Sequence, residues 1–139
     1  MFGATRAYRR GVLFRRSEER IAQEAAAQAE FERLSGLSVD DLAAELLPAF
    51  GPGQKRPTQS MVGACLWLAS SFDGGKKHML DLKRPVEEAI QALEHAGLLT
   101  GKVRSGGSGH AQTILSITRL GETALAEGDV RRYLQRDRL

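Results

Sequence analysis

The sequence predicts a mostly α-helical protein with one small β-hairpin, an α+β fold. Apolar residues recur at three- and four-residue spacing through most of the chain, the signature of packed helices. Near the C-terminal third two short runs read as strands, the second rich in β-branched residues. Between those runs lies Ser105-Gly106-Gly107-Ser108-Gly109-His110, a loop too polar and too glycine-rich for a core. The 139 residues, 42% hydrophobic and 27% charged, are enough for one ordinary domain with a real core.

Residues 1–37 read as a basic arm and an amphipathic helix. Met1 to Arg16 is arginine-rich without a packing pattern, and is expected to be a flexible arm or a helix extension. Basic and free of acids, it has the composition of a transit peptide, but nothing resembling a cleavage site follows. From Ser17 to about Ser35 alanine and glutamate dominate without Gly or Pro, so a helix is expected, capped by Ser17 with Glu18 and Glu19 behind it. Ile21, Ala25, Gln28, Phe31 and Leu34 give it a thin apolar stripe, a reasonable one for meeting a partner. Gly36 stops it.

Residues 38–127 form the main domain and 128–139 a C-terminal tail. Ser38 caps a second helix to Phe50, with Asp41 at the capping-box position and Val39, Leu42, Ala43, Leu46 and Phe50 on one face. Gly51 to Pro57 is loop by its punctuation. Thr58 to Phe72 is apolar almost all round and is expected at the centre of the core, with Cys65 a buried, inert thiol. A fourth helix from Pro85 to His95 buries Val86, Ala89, Ile90, Leu93 and Gly97, and presents Arg84, Glu88, Gln91 and His95. Strands are expected at 98–104 and 112–118, and short helices at 120–127 and 129–138.

The net charge of +3 hides segregation. Residues 1–16 hold five arginines and no acid, whereas residues 17–52 hold eight acids and two bases. Residues 53–86 carry six bases against two acids; Glu87, Glu88 and Glu94 follow, then Lys102, Arg104 and Arg119. Basic blocks favour polyanions.

Three helices followed by a hairpin with a long Gly-rich tip is the order of a winged helix. Ala92-Leu93-Glu94-His95-Ala96-Gly97-Leu98-Leu99 resembles the end of the recognition helix and the first wing strand of MarR- and PadR-type bacterial repressors. Ile117-Thr118-Arg119-Leu120-Gly121-Glu122-Thr123-Ala124-Leu125 resembles their exit from the wing. The resemblance covers about residues 58–127 and implies a regulator of transcription that binds double-stranded DNA. It would use a recognition helix at 85–96 and a basic wing at 102–112, bind as a homodimer, and work in the cytoplasm on the nucleoid. Independently, cations stand where phosphates would lie: Lys83 and Arg84 at a helix start, Lys76 and Lys77 before it, Lys102, Arg104 and His110 on the wing, Arg119 at its exit. Gln91 is the candidate for base contact.

Three features depart from that family. The connection from Asp73 to Arg84 is long for a helix-turn-helix, unless Met79 to Leu82 is a stub of its second helix. Glu87, Glu88 and Glu94 put acid along the recognition helix, and the N-terminal arm and acidic helix match no repressor segment. They keep two alternatives open, a winged helix that holds protein and an architectural, plasmid or phage DNA-handling protein. No catalytic site, cofactor or metal site is expected: His78, His95 and His110 are scattered, and Cys65 is alone. No apolar run approaches the roughly 18–20 residues that span a bilayer, so no membrane partner is expected. A small-molecule effector is left open.

Overall fold

The computed structural model describes residues 2–72, 74–105 and 111–136; of residues 2–16, 104–105 and 111–112 it describes the backbone alone. Helices dominate and one two-stranded antiparallel sheet accompanies them, as the sequence predicts.

Helix α1 runs without a break from Phe2 to Gly36, so Ser17 lies inside it and does not start it. No proline interrupts the stretch, and Gly11 costs only about 1 kcal/mol in a helix interior. The helix is therefore roughly 50 Å long. Its contact with the body is short: Ala27 and Leu34 are buried and Phe31 half-buried, whereas every side chain from 17 to 26 is exposed. The expected stripe through Ile21 and Ala25 is thus not the buried one, because among the described side chains the body meets the helix only in its last three turns.

Helix α2 (Val39–Leu46) starts as expected, with Ser38 Oγ accepting from the Asp41 N–H at 3.1 Å. It tightens into a 3-10 turn over Leu47–Phe50, since Pro48 has no N–H to continue the α ladder. Leu42, Ala43, Leu46, Leu47 and Phe50 are buried; Val39 stays largely exposed. Helix α3 (Met61–Ala69) is shorter than the sequence suggests, capped by Ser60 on the Gly63 N–H at 2.9 Å. It is not central on all sides. Ala64, Cys65, Leu68 and Ala69 are buried, but Val62 and Leu66, one turn apart, are 64% and 45% exposed on the outer face.

Residues 70–82 make the long connection, with a 3-10 turn at Gly75–His78. Residues 79–82 are turns, not a helical stub. Gly75 is obligatory there, because a Cβ would run into the Ala69 carbonyl and the Phe72 ring. Helix α4 (Lys83–His95) packs Val86, Ala89, Ile90 and Leu93 against α2 and α3. Burying each such side chain contributes about 1.5–3 kcal/mol. Gly97 is exposed, not part of that face; at φ 79° it turns the chain out of the helix.

Strands β1 (Leu99–Ser105) and β2 (Ala111–Ile117) pair in register from Leu99 opposite Ile117 to Ser105 opposite Ala111. Leu115 donates its N–H to the Gln59 carbonyl at 2.8 Å, so the segment leading into α3 adds one rung beside β2. Helix α5 (Arg119–Glu127) follows directly, and α6 (Val130–Gln135) closes the described chain against α2. Arg131 reaches Asp41 of α2 at 2.8 Å.

Candidate nucleic-acid interface

Helix α4 has one buried and one outward face, and the outward face is the candidate surface. Leu82, at its N-cap, offers no side-chain cap, which leaves the first-turn N–H groups free of a capping side chain. Lys83 and Arg84 are exposed on this turn, where the helix dipole also favours an anion. Further along, Glu87, Glu88, Gln91, Glu94 and His95 are exposed. Arg84 Nε lies 3.8 Å from Glu88 Oε1, a loose and exposed pair that a phosphate can displace.

The hairpin stands beside this face. Its odd-numbered side looks to the body: Leu99 and Leu115 are buried, and a Cβ at Gly101 would touch Glu94 Oε2 at 3.6 Å. By strand alternation Lys102 lies on the other side, exposed, opposite Ile114. Arg104 pairs through its backbone with Gln112; its side chain, and all of His110 at the tip, lie outside the described residues. Thr118 fixes the base of the hairpin. Its hydroxyl donates to the Gly97 carbonyl at 2.6 Å and accepts from the Gly121 N–H at 3.0 Å. That sets exposed Arg119 at the start of α5, close to the α4–β1 junction.

Lys76 and Lys77 belong to another surface. They line a groove of about 670 Å³ between α1 and the end of α3, with Arg20, Gln23 and Glu24 on its far wall. His78, next to them in the chain, is buried and stacked on Phe31 at 4.6 Å with 12° between the rings. Its Nε2 has no hydrogen-bond partner among the described residues. The stack anchors α1 to the body, and nothing local in the sequence announces it.

Sequence reasoning also missed a second groove, of about 300 Å³, between α4 and β2. Met61, Ile90 and Leu115 make its apolar floor, and Glu87, Gln91 and Glu94 its rim. Val103, 73% exposed, continues the apolar surface along the hairpin. The signal was the spacing of Glu87, Gln91 and Glu94, which puts all three on one side of the helix. Among the described residues no group of three or more His, Cys, Asp or Glu can hold a metal ion, and no helix is long and apolar enough to cross a membrane. In comparisons with known proteins, the chain matches no family model, no curated protein and no solved structure.

Proposed function

We propose that the chain is a winged-helix protein that binds double-stranded DNA and regulates transcription sequence-specifically, as a homodimer acting on the nucleoid in the cytoplasm. The observation that carries this reading is the pairing of an outward α4, with Lys83 and Arg84 on its uncapped first turn, and a neighbouring hairpin that holds Lys102 outward. The order α2, α3, α4, hairpin, with the Gln59–Leu115 rung, supports the winged helix. In this arrangement the first turn of α4, Lys102, Arg104 and Arg119 meet phosphates, and Gln91 faces base edges. Six neutralised phosphates would weaken binding about 10³-fold between 50 and 200 mM salt.

Fluorescence anisotropy with a labelled random-sequence duplex tests it. Binding should fall steeply with salt, and Lys83→Ala/Arg84→Ala or Lys102→Ala/Arg104→Ala should weaken it and flatten the salt dependence by about one unit of slope per lost contact. Absence of binding even at low salt overturns the reading.

One observation favours a second reading, a winged helix that holds protein. The acid-rimmed apolar groove at Glu87, Gln91 and Glu94 repels phosphate and suits a basic amphipathic segment. Glu87→Gln/Glu94→Gln separates the two. It tightens duplex binding if α4 enters a DNA groove, and leaves it unchanged if α4 serves another partner.

A further inference from the structure

We propose that α1 pairs antiparallel with α1 of a second copy of this chain, through the face turned away from the body. This deepens the dimeric part of the reading above by naming the interface, and its test involves no DNA.

A single copy leaves α1 uncovered over residues 17 to 26. Side chains 17 to 26 are all exposed, including Ile21 at 66%, and the apolar contact with the body is made by Ala27, Phe31 and Leu34, beside the Arg33–Glu45 ion pair. At 100° per residue those three lie together, and Glu18, Ala22, Ala25 and Ala29, all exposed, lie on the opposite side. A second helix can therefore lie on the free face without displacing the body. Exposed helices of this kind draw little stability from propensity alone; packing supplies most of it.

Charge selects the occupant. Residues 1–16 hold five arginines and no acid, a net +5. Residues 17–32 hold Glu18, Glu19, Glu24, Glu30 and Glu32 against Arg20, a net −4. Two copies side by side and parallel would set like blocks against like. An antiparallel pair sets each basic block on the other copy's acidic block, twice over by two-fold symmetry. The two blocks are equal in length, so the symmetry axis falls between residues 16 and 17.

That register is also a heptad. Positions 4, 8, 11, 15, 18, 22, 25 and 29 alternate by four and three, and the two-fold carries the set onto itself. Ala4 comes level with the partner's Ala29, Tyr8 with the partner's Ala25, and Gly11 with the partner's Ala22. The one charged pair in the seam is Arg15 with the partner's Glu18, at the centre and of opposite sign. A nucleic acid on the arginine block would leave the acidic block unexplained; a second copy accounts for it.

Sedimentation of the full chain tests the pairing. The wild type should be a dimer that weakens with salt, since the blocks attract through solvent. Arg15→Glu and Glu18→Arg should each sediment as monomers with the same body fold by near-ultraviolet circular dichroism, because each sets like charges together at the centre of the seam. Mixed in equal amounts they should form a one-to-one dimer, because each reversed residue then meets its opposite. A monomeric wild type, or variants that dimerise alone as well as the wild type does, overturns the proposal. Either result leaves the anisotropy test of DNA binding standing.

Discussion

Thr118 holds three ends of the structure with one side chain and one amide. Its N–H donates to the Leu98 carbonyl at 3.1 Å, its hydroxyl donates to Gly97, and its oxygen caps α5. Thr118→Val keeps the shape and removes the cap and the hydroxyl donor, so it should cost about 1–2 kcal/mol, read as a lower urea midpoint. Three residues on, Gly121 is packed so that a Cβ would collide with the Leu98 carbonyl and the Ile117 side chain. Gly121→Ala should cost about 1–3 kcal/mol by overpacking, although alanine is the better helix former. Thr118 and Gly121 were legible in the sequence as an exit from the hairpin. The stack of His78 on Phe31 was not, because its partners are far apart in the chain and neither is unusual where it stands. Cys65 was legible as buried, and burial pushes its thiol up from the ordinary range. A thiol reagent should label it in urea far faster than in the native protein.

Helix boundaries show where propensity stops and context begins. The sequence contains a good cap at Ser17, yet α1 is continuous, since a cap helps a helix begin but does not end one that precedes it. The expected second helix runs through Pro48 to Phe50, whereas the chain leaves the α ladder at Leu46 and turns 3-10 around the proline. At the other end of α1, Arg33 ties two elements together. It bonds Glu30 one turn before it at 2.6 Å and Glu45 of α2 at 2.8 Å. The Arg33 guanidinium holds the Glu30 carboxyl below its usual range, chiefly by that hydrogen bond. A carboxyl lowered in the folded state contributes stability above its unfolded pKa and loses it as pH falls through the lowered value. The window is therefore acidic, below about pH 4.3. All three side chains are partly exposed, so Arg33→Ala should cost about 0.5–1 kcal/mol at pH 7. Urea midpoints of wild type and variant should converge as the carboxylates protonate. A gap that persists at pH 2 would mean that Arg33 acts through the packing of its stem.

At the scale of the whole molecule, the mostly helical fold with its hairpin was legible because hydrophobic period and turn residues agree almost everywhere. The candidate surface was legible in part. Lys83, Arg84, Gln91 and Lys102 are each exposed, on α4 or the hairpin, but Lys76 and Lys77 are carried to the α1 groove, a separation set by how residues 70–82 fold. The division of the chain into a packed body and a helix exposed over residues 17 to 26 has its own thermodynamic consequence. If α1 joins two copies, folding is linked to association, and the native state is stabilised as protein concentration rises above the dissociation constant. The thermal midpoint of the full chain should then climb with concentration. A chain shortened to begin at Ala25 keeps Ala27, Phe31 and Leu34, and with them the α1 contact to the body. It loses the basic block and Glu18, so its midpoint should be independent of concentration. At the lowest concentrations, where the full chain is dissociated, the two midpoints should converge, because side chains 17 to 24 of the removed segment are all exposed. Full-length and shortened chains that both show a flat midpoint would place the role of the overhang outside self-association. A shortened chain that melts far lower at every concentration would mean instead that the overhang supports the body directly.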